Sequence, residues 1–207
     1  MYPLTYFVRH GQTDYNADSR LQGQADPDIN ALGRRQADVN GERLAQLLGD
    51  AAGFDFVASP LRRTRETMER IRIKMGLPPK GYRTDPRLME LNFGDWQGFT
   101  FAEIEAWTPG ATAPRLDDKW NFVPPGVHAE SYAMLAERVR SWLAELRVQT
   151  ICVAHGGVIR SLFHIIEHVP GSEAANIDTP QDRILKLEND RLTWLSSGSF
   201  PYAVSPK

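Results

Sequence analysis

The stretch Tyr6-Phe7-Val8-Arg9-His10-Gly11, close to the N-terminus, decides the fold. Three consecutive apolar residues read as a short buried strand, and the glycine directly after the histidine lets the chain turn sharply. A histidine at the C-terminal tip of a first strand sits where open α/β sheets bind ligands. The neighbouring arginine points to an anionic ligand, because a guanidinium disfavours a metal cation and pairs with phosphate or carboxylate. The same arrangement recurs late in the chain. Thr150-Ile151-Cys152-Val153-Ala154 reads as a buried strand, and His155-Gly156-Gly157 follows it before an apolar helix. In a parallel sheet both strand ends lie on one side, so the two histidines converge above it.

Between these two strands lies a third, over residues 54–58, which leads into Ser59-Pro60, a helix-start pair. Leu61-Arg62-Arg63-Thr64-Arg65 then puts up to three arginines in the first turn of a helix on the same sheet edge. Cations there oppose the macrodipole unless an anion or an acidic partner lies opposite. Arg62 and Arg65 read as solvated side chains, and helical spacing does not decide between Arg62 and Arg63 as an anion ligand.

Gly33, Ala37, Leu44, Leu47 and Leu48 fall on one helix face, and Leu61, Thr64, Met68, Ile71 and Met75 on another. Thr100 and Glu103 form a capping-box pattern, and Tyr132, Leu135, Ala136, Val139, Leu143 and Leu146 mark a further amphipathic helix. Residues 108–129, rich in Pro, Gly and Ala, read as one long lid-like loop. Residues 183–187 and 191–195 alternate around Asn189-Asp190 as a hairpin. The expected fold class is α/β, a three-layer sandwich with a mostly parallel central sheet, helices on both faces and an antiparallel edge hairpin, forming a single domain over residues 1–207.

A net charge of −2 on 207 residues argues against a general nucleic-acid or anionic-membrane surface, so any attraction for anions is local. One cysteine excludes an intrachain disulfide framework and fits a reducing compartment. No apolar run approaches a membrane span and the N-terminus lacks a signal-peptide pattern, so a cytoplasmic protein is expected. Oligomeric state is not legible, and a homodimer is permitted.

Four stretches, in this order along nearly the whole chain, carry a resemblance. They are Arg9-His10-Gly11-Gln12-Thr13-Asp14-Tyr15-Asn16, Ser59-Pro60-Leu61-Arg62-Arg63-Thr64-Arg65-Glu66-Thr67, Glu90 with Leu91-Asn92-Phe93-Gly94-Asp95-Trp96-Gln97-Gly98, and Ala154-His155-Gly156-Gly157. The chain resembles the histidine phosphatase superfamily, in its phosphoglycerate mutase-like branch. That resemblance implies that His10 is the nucleophile, phosphorylated on a ring nitrogen, with Arg9, Arg63 and His155 around the transferring phosphoryl group. It selects Arg63 among the arginines and makes Glu90 the acid–base residue. Leu91, Phe93 and Trp96 around Glu90 would disfavour its carboxylate, and a nearby phosphate would favour a protonated His155. Asn16, Gln22 and Gly23 align with phosphate- or substrate-contacting positions, and Gly156 offers its N–H at the start of a helix.

Gly98-Phe99-Thr100-Phe101-Ala102-Glu103-Ile104 resembles the phosphatase-type continuation rather than that of the mutases. The resemblance therefore implies a metal-independent hydrolase that needs no cofactor and acts on phosphate monoesters of small metabolites. A mutase and a non-catalytic phosphate-binding protein are the alternatives. Gly126-Val127-His128-Ala129-Glu130-Ser131 departs from the family's Gly-Gly-Glu-Ser, and Arg115, Lys119, Trp120 and Phe122 in the lid-like stretch are candidates for the pocket rim. His164-Ile165-Ile166-Glu167-His168 fits a metalloprotease pattern, H-x-x-E-H, but no third zinc ligand has a motif of its own, and the histidines read as helix C-terminal residues.

Overall fold

A computed structural model describes residues 1–195, and the last stretch of the expected single domain, residues 196–207, lies outside them. In chain order the elements are β1 (Thr5–Arg9), α1 (Asp14–Ala17), α2 (Ala31–Leu48), β2 (Asp55–Ala58), α3 (Arg62–Lys74), β3 (Arg83–Thr84), α4 (Phe101–Trp107), α5 (Ala113–Asp117), α6 (Tyr132–Leu143), β4 (Thr150–Ala154), α7 (Gly156–Ile166), α8 (Gly171–Ala174), β5 (Ile184–Glu188) and β6 (Arg191–Leu195). They build one sheet in the order β3-β2-β4-β1-β5-β6. Strands β1 to β4 pair in parallel, and β5 and β6 add an antiparallel edge.

The period-two alternation of the strands splits the core into two layers. Tyr6, Val8, Phe56, Ala58, Ile151 and Val153 face one side and pack with Leu44, Met68 and Ile71 of α2 and α3. Phe7, Val57, Cys152 and Ala154 face the other and pack with Leu135, Val139, Val158 and Leu162 of α6 and α7. Each such fully buried aliphatic side chain contributes about 1.5–3 kcal/mol relative to exposure.

Register aligns the strand ends. Arg9 lies opposite Ala154, and Ala58 opposite Val153, so β1, β4 and β2 finish almost level. The ladder runs one residue further on each side, with His10 N donating to the Ala154 carbonyl and Ser59 N to the Val153 carbonyl, both at 3.0 Å. His10, Ser59 and His155 therefore emerge at one edge. At the opposite end of the β5–β6 hairpin, Asn189 and Asp190 both take positive φ (53° and 56°), the geometry a two-residue hairpin turn demands.

Four local expectations need correction. The two-residue β3 was not foreseen. Leu47 is 42% exposed, so the buried face of α2 runs instead through Gly33, Ala37, Asn40, Gly41 and Leu44. Ser59 does not cap α3, whose N-cap is Leu61 without any side-chain hydrogen bond. Residues 108–129 are not one loop, because α5 interrupts them and Trp120 is buried, its ring 6.0 Å from Tyr132 and 4.6 Å from His164 between centroids. Among the described residues no helix is long and apolar enough to cross a membrane.

Candidate active site

His10 follows the last residue of β1 and is only 2% exposed. Its Nδ1 lies 2.8 Å from the Gly11 carbonyl. A carbonyl only accepts, so the ring proton sits on Nδ1 and the lone pair on Nε2. Burial first, then Arg63 and Arg9, hold the imidazole well below its usual pKa, and His10 is neutral near pH 7. Its ring centroid is 5.2 Å from that of His155. His155 is fully buried behind it, with Nε2 at 2.8 Å from the Ser59 hydroxyl.

His155 is also pushed well below its usual pKa, by burial first and then by Arg63 and His10. The protein's own groups thus oppose the cationic form that a phosphate was expected to favour. His155 and Gly156 are set back from the wall of the cavity, which has a volume of about 140 Å³ and is lined by residues that include Arg9, His10, Asn16, Gln22, Gly23, Arg63 and Glu90.

The two arginines are fixed through backbone carbonyls. Arg9 donates from Nη1 to the Thr179 carbonyl at 2.8 Å. Arg63 donates to the carbonyls of Ala25 and Gly23, each at 2.7 Å. No carboxylate forms an ion pair with either among the described residues, and burial pushes Arg63 down to about 10, still cationic at neutral pH. Arg9 Nε, Arg63 Nε and His155 Nδ1 are buried without any hydrogen-bond partner. An unsatisfied buried polar group costs about 1–3 kcal/mol. Three of them around one cavity mark a place built to receive acceptors. Arg62 and Arg65, by contrast, face outward, with Arg62 paired to Asp28 at 2.7 Å and its N–H bonded to Asp26. These acids supply the negative charge that the first turn of α3 needed.

Glu90 reaches the same cavity from a loop. Its carboxylate accepts from the N–H of Leu91 at 3.0 Å and of Gly157 at 3.1 Å. Leu91 and Phe93 line the cavity beside it. Trp96, also expected there, instead stacks on Phe122 with centroids 5.2 Å apart. The backbone that carries Glu90 is clamped by Arg138 of α6, which donates to the carbonyls of Arg87, Met89 and Glu90 at 2.6–3.0 Å and pairs with Glu130 at 2.8 Å. Glu130 in turn accepts from the N–H of Asn92 at 3.0 Å. The departure from Gly-Gly-Glu-Ser leaves this clamp in place, at the expense of a φ of 62° for His128, a conformation that favours glycine.

Asn16 lines the cavity with its carbonyl oxygen tied to Thr13 and Gln181. Gln22 accepts from the Thr13 hydroxyl at 2.9 Å. In both cases the oxygen is occupied, which turns the amide N–H groups into the available donors. Gly23 has φ 53° and approaches Gln97 too closely for a Cβ. Gly156 opens α7.

Ser59, Thr179, Gln181, Tyr132, Arg160 and Arg138 contribute to the site without having been foreseen. Arg160 alone left a signal, since it lies on the helix that starts at the second His-Gly pair. His164 Nδ1 lies 2.9 Å from the Val169 carbonyl and its ring packs on Trp120, an arrangement that ties it to the helix end.

The model of the histidine phosphatase superfamily (branch 1) matches residues 5–197. A glucosyl-3-phosphoglycerate phosphatase of Mycobacterium tuberculosis is 39% identical over 177 residues, spanning 79% of this chain and 74% of that protein. A probable phosphoglycerate mutase of Erwinia tasmaniensis is 30% identical over 202 residues, spanning 93% and 88%. The solved structure of a mycobacterial glucosyl-3-phosphoglycerate phosphatase in complex with VO3 shares the fold with a TM-score of 0.75 and 32% identity, over 93% of this chain and 96% of that one. Matched almost from end to end, the chain belongs to the histidine phosphatase superfamily, branch 1.

Proposed function

We propose that this protein is a phosphatase that hydrolyses phosphate monoesters of small metabolites through a phosphohistidine intermediate on His10. The observation that carries this reading is the Gly11 carbonyl bond, which leaves a neutral His10 with a free Nε2 lone pair next to two unpaired buried guanidinium N–H groups. In the first half-reaction Nε2 attacks phosphorus, the P–O ester bond breaks, and Glu90 gives its proton to the leaving oxygen. Arg9 and Arg63 meet the charge on the equatorial oxygens, where preorganised donors lower the barrier without having to move. The monoanionic phosphate ester gives up its remaining proton to the unpaired Nδ1 of His155 on binding, and that N–H then donates back to the phosphoryl oxygens. The amides of Asn16 and Gln22 complete the cradle with the N–H of Gly156. In the second half-reaction the Glu90 carboxylate takes a proton from water, the water oxygen attacks phosphorus, and the P–N bond breaks.

Two observations favour hydrolysis. The relative at 39% identity is named a phosphatase, and the segment after Glu90 passes through one 3-10 turn (Gly94–Trp96) into the short, box-capped α4, the continuation that resembles the phosphatases. Phosphoryl transfer of the mutase type is the second reading, favoured by the relative from Erwinia tasmaniensis. The test is turnover of an aryl phosphate with EDTA present, combined with acid quench and detection of an acid-labile phosphoenzyme. The expected result is turnover by the native protein and a loss of about 10⁴-fold or more in His10→Ala, the scale of nucleophile removal. Equal activity in His10→Ala would overturn the mechanism, and no turnover at all would favour a phosphate-binding protein.

A further inference from the structure

Gln181 stands on the loop that precedes β5 and joins two parts of the site that the proposed chemistry uses separately. The pairing of β1 with β5 ends at Val8 opposite Ile184, so the His10 carbonyl lies past the end of that ladder. The Gln181 side chain takes over there, with Nε2 donating to the His10 carbonyl at 3.0 Å and to Asn16 Oδ1 at 3.0 Å. Its own backbone carbonyl accepts from Nδ2 of Asn40 at 3.0 Å. Asn40 is 2% exposed on the buried face of α2, among Ala37, Gly41 and Leu44, and this bond satisfies its amide N–H. Two residues before Gln181, the Thr179 carbonyl holds Arg9.

The order of these bonds fixes which way each amide points. A carbonyl only accepts, so the atom of Gln181 that faces His10 is the nitrogen. That nitrogen in turn demands an acceptor from Asn16, and the Thr13 N–H at 3.2 Å demands the same. The Thr13 hydroxyl has one proton, and Gln22 takes it at 2.9 Å. Gln181 is therefore the donor that reaches Asn16 from outside α1 and its cap. A flipped Asn16 would set nitrogen against nitrogen at 3.0 Å. With Oδ1 held by two N–H groups, Nδ2 is left to the cavity that Asn16 lines.

We infer that Gln181 is a positioning residue, which orients the Asn16 amide so that its N–H groups meet the phosphate and ties that donor to the backbone of the nucleophile. This rests on the phosphatase reading above and adds to it a residue that acts through Asn16 rather than on the substrate. The fixed polarity of the His10 carbonyl passes through Gln181 to Asn16. An amide aimed in advance by fixed partners donates to the phosphoryl oxygens without having to reorganise.

A double-mutant cycle with Asn16 separates this role from a merely structural one. Gln181→Met keeps the length of the side chain and removes its donor. Calorimetry reads the affinity for inorganic phosphate, and kcat/KM for an aryl phosphate reads turnover. Gln181→Met is expected to weaken phosphate binding and to lower kcat/KM by about tenfold each, the scale of one hydrogen bond to a charged group. In Asn16→Ala the same substitution should change both by less than about twofold, because no amide is left to orient. Native affinity in Gln181→Met would overturn the proposal, as would losses that multiply in the double variant or a native protein that does not bind phosphate. Gln181→Glu has the same shape and no donor when ionised, and it carries the same expectation of coupling if the methionine variant folds poorly. Failure of the native protein to hydrolyse aryl phosphate would instead sink the phosphatase reading, and the phosphate-binding cycle would still decide the role of Gln181.

Discussion

The two His-Gly turns look alike in sequence and are held in opposite ways. His10 bonds to a backbone carbonyl, an acceptor that cannot change role, so one tautomer is locked and Nε2 is permanently a lone pair. His155 bonds to the Ser59 hydroxyl, which rotates and serves as donor or acceptor, so that ring is free to change its proton count. The glycines differ as well. Gly11 is pressed against the Gly33 backbone with no room for a Cβ, while Gly156 begins α7. A repeated motif thus yields one ring with a locked tautomer, suited to the proposed nucleophile, and one with an adjustable proton count, suited to the proposed donor, and the partner of each ring nitrogen makes the difference.

The most severe way to break that division is to remove each ring in turn. His155→Ala is expected to lower kcat by about 10²–10³-fold, the scale of losing one preorganised donor to the transition state. It should retain a detectable phosphoenzyme, which His10→Ala should lack. A phosphoryl group found on His155, or equal losses in the two variants, would show that the locked and adjustable roles are wrongly assigned.

Glu90 sharpens the comparison because it is tied to the second turn and not to the first. Its carboxylate accepts from Gly157 N, and a Cβ at Gly157 would collide with that same carboxylate. Gly157→Ala should displace Glu90 and lower kcat by about 10²-fold, in the range assigned to general acid–base catalysis. The loss should shrink for an aryl phosphate, whose leaving group needs less protonation. An equal loss on alkyl and aryl substrates would mean that the substitution disturbs more than the acid.

The parts of the site that could be read from sequence are those whose cause is local. Val8-Arg9-His10-Gly11 and Val153-Ala154-His155-Gly156 each combine a buried run with a glycine turn, and parallel pairing then brings their ends together. Arg83–Thr84 could not be found this way, because both side chains are exposed and only backbone pairing with Val57 and Ala58 makes them a strand. Residues 108–129 misled by composition. The burial of Trp120 depends on Tyr132 and His164, which arrive from other elements. Thr179 and Gln181 reach Arg9 and His10 across some 170 positions, by bonds that leave no trace in local spacing. Between Arg62 and Arg63 the helix period was silent. The structure separates them, with Arg63 fully buried and Arg62 paired to Asp28 at the surface.

The smallest expected effect concerns what the two turns share. Both rings are held neutral by burial, with pKa values well below 6.5 in the folded state. The unfolded chain takes up protons at about 6.5, so below that pH it binds protons the folded protein refuses. Stability is therefore indifferent to these groups above about pH 6.5 and falls as the pH drops, by up to about 1.4 kcal/mol per pH unit for each histidine. Asp85, whose pKa is lowered through Arg87 against its own burial, loses its contribution in the same direction but only near the carboxylate range. Urea midpoints between pH 7 and 5 isolate the histidines from it. His155→Gln should halve the slope, and so should His10→Gln, although the two substitutions differ greatly in activity. A slope that vanished with one substitution alone would mean that only one ring is buried as a neutral group, and the two turns would then differ in their folding as well as in their chemistry.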